Sequence, residues 1–223
     1  MTQRARQLID ESRNAIVSTE ERIRLHPYLD ALEKRGFGKG RLGVFAGQQR
    51  HIIESDLRSM ELAVSRAETG AAREFLSGML EGERAALSAL LLFGRALGLS
   101  PEQLDAAKPL PGAFAYSAYV YWLAGNGTSA EYVGAFLANL DVWGANCGRV
   151  SRALQANYGL VKEDVAFFDL FATPPPDFGE RGLAVVEEGL EKGANPQLVR
   201  RAARMLQGYE LMFWDTMWEA VKS

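Results

Sequence analysis

The sequence has few of the residues that build disulfides and metal sites. Cys147 is the only cysteine among 223 residues, so no disulfide framework or cysteine cluster can form within one chain. The only two histidines, His26 and His51, each stand alone, without an HExxH or Glu-x-x-His pattern. We therefore expect no metal site and no cofactor. His26 directly precedes Pro27, which is typical of a structural residue at a helix boundary.

Long apolar runs and an excess of charge of one sign are also missing. The longest apolar run, ALSALLLF at 86–93, is much shorter than the roughly 18 residues that span a membrane. With 25 basic and 28 acidic side chains, the sequence predicts no cationic surface for nucleic acid. The amino-terminal MTQRARQLIDES lacks an apolar signal region. We expect a cytoplasmic protein whose partner is a small molecule, and neither a membrane nor a nucleic acid.

Strand signals are nearly absent, whereas helical periodicity runs through almost the whole chain. Gly98 and Pro174–Pro176 indicate helix ends, and Ser100-Pro101 indicates a helix start. No internal repeat or long linker divides the chain. The pattern predicts one all-α domain over residues 1–223, an irregular bundle of long helices. The predicted helices cover about 2–17, 19–34, 41–68, 71–97, 113–124, 129–156, 162–171, 178–192 and 196–221.

One acidic residue near the end of the chain stands in an apolar, aromatic segment. Glu210 lies within GYELMFWDTMW, residues 208–218. An ionised carboxylate is costly to bury without a partner, so Glu210 either faces solvent or faces a cavity that uses its charge. Two other segments, AFAYSAYVYW (113–122) and LDVWGANC (140–147), are also rich in aromatic residues. Plain core packing remains the alternative interpretation of both.

Several motifs together resemble one family. The residues Tyr209-Glu210-Leu-Met-Phe213-Trp214 are similar to the YExxFW signature of the TenA/thiaminase II family. That family shares its haem-oxygenase-like fold with haem oxygenase and with the cofactor-biosynthesis protein PqqC. The resemblance therefore implies an all-α, TenA/PqqC-type bundle with a central pocket, assembled as a dimer or tetramer. Similar motifs occur in the same order at LHPYLDAL (25–32), FAGQQ (45–49), YSAY (116–119) and AFLANLDVW (135–143).

The resemblance also implies roles for individual residues. Glu210 falls on the family's catalytic glutamate, which handles protons while a pyrimidine–CH2–N bond is cleaved. Tyr116 falls on a tyrosine that supports the nucleophile and substrate. Trp143 and Phe213 fall on aromatic positions of the pocket wall.

Four positions depart from the family pattern. Asn139 stands where the family has its nucleophilic cysteine, and Gln49 stands where it has the acid that grips the aminopyrimidine. Ile52 and, in a later loop, Pro174 replace pocket tyrosines. Cys147 lies two helical turns beyond Asn139, roughly 12 Å along the axis, so we do not expect it to replace the missing thiol.

These features favour a divergent family member that binds a small nitrogen-containing aromatic metabolite related to an aminopyrimidine or thiamin. If the chain is an enzyme, we expect cofactor-independent hydrolysis of a C–N bond, with water as nucleophile and Glu210 as general acid/base. The alternative is a non-catalytic relative that binds a ligand or partner on the same scaffold. A metal-dependent oxidase is disfavoured by the histidine count, and neither charge nor motif supports a transcriptional role.

Overall fold

The computed structural model describes residues 2–222 and contains helices but no strands within them, so the all-α prediction is confirmed. The first and last residues of the predicted domain lie outside this range. Two short 3-10 turns cover Lys39–Arg41 and Lys162–Val165. No helix in the described range is long and apolar enough to cross a membrane. The α-helices are α1 (Gln3–Arg24), α2 (Pro27–Glu33), α3 (Leu42–Arg66), α4 (Gly70–Ala96), α5 (Pro101–Asp105), α6 (Pro111–Asn126), α7 (Ser129–Tyr158), α8 (Ala166–Ala172), α9 (Phe178–Glu191) and α10 (Pro196–Lys222).

The first helix is longer than the sequence predicts. The predicted break near residue 18 is wrong, because α1 continues through it to Arg24. The break comes at Pro27 instead, since the proline ring disfavours helical geometry at the preceding residue. His26 is accordingly extended, with ψ 132°. It caps α2 by accepting a hydrogen bond at Nδ1 from the Tyr28 backbone N–H, and its Nε2 lies 3.1 Å from Asp215 Oδ1.

Other helix ends follow local sequence signals. The helix start predicted at Ser100 is confirmed, and Ser100 and Gln103 form a reciprocal cap there at the start of α5. Thr128 and Glu131 form the same cap on α7, and Gly159 ends α7 in the left-handed conformation. The gap between the helices predicted over 113–124 and 129–156 is shorter than expected, because α6 continues to Asn126.

Helix α7 runs through the middle of the bundle. It packs against α1, α2, α8, α9 and α10, and its first turns are buried on nearly every side. Helix α3 packs against α4 and α6, while α10 packs against α6 and α7. An aromatic cluster at the centre includes Tyr28, Phe45, Phe168, Phe213 and Trp214. These rings pack between the long helices and hold them around a central cavity. Residues of α3, α4, α6, α7, α8 and α10 line this cavity.

The backbones of α7 and α8 come close together at Gly144. A Cβ atom on Gly144 would lie 2.6 Å from the Phe171 carbonyl oxygen, which is too near for any other residue without movement of α8. Phe171 sits at the central space. Gly144 therefore permits the packing that brings this ring to the site.

We expect Gly144→Ala to lower the free energy of unfolding by about 1–3 kcal/mol, because the carbonyl cannot yield without shifting α8. The control is Gly208→Ala on α10, where the glycine is exposed and an added Cβ meets nothing within 4 Å. Alanine there should stabilise the helix by about 0.5–1 kcal/mol. Urea unfolding of both variants measures the difference. Equal stability of the two variants would contradict the close packing.

Candidate functional site

A cavity lies at the centre of the bundle. Its volume is ≈ 60 Å³, so it has room for more than one water molecule. The structure brings together around it seven of the eight side chains that the sequence analysis places at a pocket; their roles stay predictions. These residues are Gln49, Ile52, Tyr116, Asn139, Trp143, Glu210 and Phe213.

Glu210 is held at this cavity by three N–H donors from α7 and α10. The Trp214 indole N–H donates to Glu210 Oε1 over 3.0 Å. The Asn139 amide donates to Oε2 over 2.5 Å, and the Gln207 amide donates to the same oxygen over 3.3 Å. Both carboxyl oxygens thus accept hydrogen bonds from protein side chains, and these bonds fix the orientation of the carboxyl group.

The carboxyl group of Glu210 titrates near neutral pH. Burial raises its pKa from 4.5 to about 7, while the hydrogen bonds from Trp214, Asn139 and Gln207 oppose the rise. Only 2% of the residue is exposed. A carboxyl group with this pKa can both accept and donate a proton at pH 7, as a general acid/base must.

One wall of the cavity is aromatic. The Trp143 ring meets Phe213 edge-on at 5.9 Å between centroids, and it meets Phe171 in the same way at 5.9 Å. Such packing fixes the positions of the three rings, which all line the cavity. Phe171 was not predicted. Phe171 lines the cavity because α8 packs on Gly144. This contact is between residues far apart in the sequence, so no local sequence pattern predicts it.

Two acidic residues of the wall were missed by the sequence analysis. Asp56 on α3 and Glu83 on α4 line the cavity and are buried. Burial raises the pKa of both carboxyl groups, and repulsion from Glu83 raises that of Asp56 further. A signal existed: Asp56 follows Ile52 by one helical turn and falls in phase with the buried stripe of α3. The other unpredicted lining residues are Met60, Phe136, Leu140 and Phe171.

Two further expectations concern residues outside the cavity. The assignment of Pro174 to the pocket is wrong: Pro174 is exposed in the segment after α8 and does not line the cavity. Cys147 is buried on α7 and also does not line it. Burial raises the pKa of the Cys147 thiol well above its ordinary value, so the nucleophilic thiolate is disfavoured.

Metal ligands do not gather at the cavity. Within residues 2–222, no three histidine, cysteine, aspartate or glutamate side chains are placed to hold an ion together. His51 contacts the Ala107 carbonyl oxygen through Nε2 at 2.5 Å, and His26 serves as the cap of α2. The site chemistry visible in the structure is therefore that of carboxyl, amide and aromatic groups.

The sequence matches the model of the TENA/THI-4/PQQC family over residues 14–220. No curated protein sequence matches it. The fold is similar to that of a TenA homologue from P. horikoshii OT3, with a TM-score of 0.78 and 16% identity over 96% of this chain and 99% of that chain.

Two more solved structures support the same fold. A putative TenA-like thiaminase from Sulfolobus solfataricus P2 gives a TM-score of 0.70 and 11% identity over 95% of each chain. A domain of unknown function with a haem-oxygenase-like fold from Shewanella denitrificans OS217 gives 0.71 and 17%, over 98% of this chain and 92% of that one. The predicted haem-oxygenase-like fold is thereby confirmed.

The raised pKa of Glu210 makes stability depend on pH. Between about pH 4.5 and 7 the folded state holds a proton that the unfolded state releases, so stability falls as pH rises through this range. We expect Glu210→Gln, which cannot ionise, to lose less stability between pH 5 and pH 8 than the wild type, by the order of 1–3 kcal/mol. Denaturant unfolding at both pH values measures this.

The control is Glu219→Gln, an exposed residue on the same helix. It should keep the wild-type pH dependence. Asp56 and Glu83 remain in both variants and contribute with the same sign, so some dependence should persist in Glu210→Gln. Identical pH dependence in Glu210→Gln and the wild type would contradict the assignment.

Proposed function

Because this chain belongs to the TENA/THI-4/PQQC family, we propose that its cavity binds a small nitrogen-containing aromatic metabolite, related to an aminopyrimidine or thiamin, and hydrolyses a C–N bond in it. The family match and the similarity to a putative TenA-like thiaminase support a thiamin-related role. The observation that carries the proposal is the buried Glu210 carboxyl group, held by N–H donors beside an aromatic wall.

Recognition of the ring rests on Gln49 and the aromatic wall. Gln49 is buried at the cavity, and within residues 2–222 its side-chain amide has no hydrogen-bond partner. An amide offers both a donor and an acceptor, which matches the amino group and adjacent ring nitrogen of an aminopyrimidine. The faces of Trp143 and Phe213 suit a planar ring of this size.

Glu210 supplies the proton transfers of the proposed hydrolysis. As a carboxylate it takes a proton from a water molecule, whose oxygen forms a bond to the carbon that carries the leaving nitrogen. The same proton then passes to that nitrogen as the C–N bond breaks. The balance is the addition of one water across the bond, and Glu210 returns to its initial state. Asn139, Gln207 and Trp214 keep the carboxyl group oriented throughout.

A second candidate function is ligand binding without turnover. Asn139 stands where the family has its nucleophilic cysteine, and its amide is engaged with Glu210. An amide side chain cannot serve as a nucleophile in this chemistry. A relative that kept the cavity and lost catalysis would show the same arrangement.

The test compares thiamin with an aminopyrimidine that carries an amide on its methylene arm. We expect release of the pyrimidine from thiamin to be absent or very weak, because no thiol lines the cavity, and the amide to be hydrolysed. Glu210→Gln should lower hydrolysis by about a hundredfold or more while binding changes little. Chromatography of the products and calorimetry measure the two quantities, with Glu219→Gln as the control.

Each outcome separates the candidates. Binding of the amide without hydrolysis would favour the non-catalytic function. Rapid cleavage of thiamin would show that a nucleophile other than water acts in this chain. Absence of binding by either compound would reject the proposed ligand class.

We also propose that the chain assembles with copies of itself, as a dimer or tetramer, through α6. This helix is apolar around its whole circumference, which is typical of a buried helix. Yet Phe114 and Tyr121, which are seven residues apart on one face, are 36% and 51% exposed. A second copy packed on this face would cover them.

We expect the wild type to give an oligomer mass in light scattering at micromolar concentration. Phe114→Lys with Tyr121→Lys should shift the mass toward the monomer, because two charges would be buried in the interface. The control is Leu170→Lys on α8, an exposed apolar residue away from α6, which should keep the oligomer. A monomeric wild type would reject this assembly.

A further inference from the structure

The residues that line the central cavity include few groups that can attack a substrate. Among the described ones, none carries a thiol, an amine, an imidazole or an aliphatic hydroxyl group. Tyr116 has a phenol, but burial raises its pKa well above the usual value, so the phenolate is disfavoured. The hydrolysis proposed above therefore takes its nucleophile from water, and the hydrogen bonds around Glu210 indicate which atoms hold that water.

The side-chain amide of Asn139 is fixed in one orientation. Its Nδ2 donates to Glu210 Oε2 over 2.5 Å and to Gln207 Oε1 over 3.4 Å. Gln207 in turn donates through Nε2 to Glu210 Oε2 over 3.3 Å. Turning the Asn139 amide over would place its oxygen against these two acceptors, and an ionised carboxylate offers no donor. Both amides therefore present N–H groups to Glu210, and Asn139 Oδ1 is left for another donor.

Asn139 Oδ1 is a buried acceptor that no part of the described chain satisfies. It accepts no hydrogen bond from residues 2–222, whereas Nδ2 of the same amide serves two acceptors. The residue is 3% exposed and lines the cavity. Oδ1 is not one of the unpartnered atoms that are sealed from water, so it keeps accessible surface. Buried polar atoms without a partner are uncommon in folded proteins, and a water molecule in the cavity can supply the O–H that this oxygen needs.

Glu210 also has one acceptor position left. An ionised carboxylate offers about four lone-pair sites on its two oxygens. The Asn139 and Gln207 amides occupy both sites of Oε2, and Trp214 occupies one site of Oε1. The remaining site is on Oε1, so this oxygen is the one that accepts a proton. Because Nδ2 and Oδ1 belong to one amide, Oδ1 lies close to the same carboxyl group, and one water can bridge Oδ1 and Oε1.

We propose that Asn139 Oδ1 and Glu210 Oε1 together hold the water that attacks the substrate. This inference rests on the proposed function and deepens it, because it gives Asn139 a part in the reaction besides orienting Glu210. The water donates one O–H to each oxygen, which leaves its lone pairs for the carbon that carries the leaving nitrogen. Glu210 takes the proton on its side as the C–O bond forms and passes it to the nitrogen as the C–N bond breaks. The other O–H stays with the product.

Crystal structures test the water site without any turnover. We expect an ordered water within hydrogen-bond distance of both oxygens in the wild type and in Gln207→Leu, which keeps Asn139. The water should be missing in Asn139→Leu, a change of similar size that removes both polar atoms of the amide. A wild type without this water, or Asn139→Leu with it, would overturn the proposal.

Hydrolysis of the aminopyrimidine amide used above gives a second readout. Asn139→Leu should lower kcat by about a hundredfold and change KM by less than about threefold, because the water is misplaced while the ring contacts remain. Gln207→Leu removes one of the donors to Glu210 and should lower kcat by no more than about tenfold. Equal losses in the two variants would mean that Asn139 only orients Glu210, against the proposal.

The matched control is Asn157→Leu, the same change on the same helix. The Asn157 amide donates to the Glu33 carbonyl oxygen over 2.7 Å and does not line the cavity. This variant should keep the wild-type kcat. Circular dichroism checks the fold of each variant. If Asn139→Leu does not fold, Asn139→Ala takes its place, with the same loss of kcat expected.

Added hydroxylamine tests whether position 139 borders the nucleophile. Alanine leaves room there for a small molecule, whereas leucine fills the space. We expect hydroxylamine to raise turnover of Asn139→Ala at least about tenfold, because its nitrogen is a stronger nucleophile than water. The acyl carbon then bonds to that nitrogen, the leaving amine takes the proton, and the product is a hydroxamate. Asn139→Leu should gain much less, and equal gains in both variants would contradict the proposal.

The two kinds of measurement separate this inference from the proposed function. A bridging water in the wild type without hydrolysis of the amide would support the water position and reject the hydrolysis. Hydrolysis by a wild type that lacks the water, or hydrolysis undiminished in Asn139→Leu, would keep the proposed function and reject this inference.

Discussion

The burial of one carboxyl group at the centre of the bundle is the constraint on which the rest of the structure depends. Glu210 is tolerated because α7 and α10 bring three N–H donors to its two oxygens. These bonds require a fixed register between the two helices, and Asn139 must face Gln207 and Trp214 across that contact. The aromatic wall then follows, because Trp143 lies one turn along α7 from Asn139 and Phe213 lies beside Trp214 on α10. Burial and hydrogen bonding together set the proton affinity on which the proposed chemistry rests.

Most of the fold could be predicted from the sequence, because periodicity and capping are local. The cap at Ser100 and the extent of α10 follow from such signals. The break at residue 18 could not be placed correctly. Ser18, Thr19 and the acids after them are typical of a helix start, yet the apolar stripe of α1 continues to Ile23 and packs against the bundle. Burial of this apolar stripe stabilises the continuous helix by more than the helix propensities oppose it, because these propensities differ by only about a few tenths of a kcal/mol per residue.

The site could be predicted where a motif marks it and not where only packing creates it. Glu210 and its aromatic neighbours stand in a segment whose composition is unusual, and the motifs at Gln49, Tyr116 and Asn139 gave the other positions. Asp56 and Glu83 stand in ordinary amphipathic helices. An acidic residue next to the apolar stripe of such a helix normally faces solvent, so the sequence gives little reason to place either residue at a cavity. Pro174 lies in a loop, where no helical period fixes the position of a side chain, and the fold leaves it exposed. Whether α8 or this loop faces the cavity depends on the contact at Gly144, which lies far from both in sequence.

The three buried acids also change the charge that the folded protein carries. The sequence gives a formal charge of −3 and an isoelectric point near 5.6, as if every carboxyl group titrated in water. Near that pH the folded chain retains protons on Glu210 and Glu83, because burial raises the pKa of each to about 7, whereas an unfolded chain has largely released them. Burial raises the pKa of Asp56 in the same direction. The lowered pKa of His26 acts in the opposite direction. The pKa values of Glu11, Glu33, Glu102 and Glu187 are also lowered, but these carboxyl groups are almost fully ionised near that pH in either state, so they change the charge little. The native protein is therefore less anionic than its sequence indicates, its isoelectric point lies above that of the denatured chain, and folding in weakly buffered solution withdraws protons from the solvent.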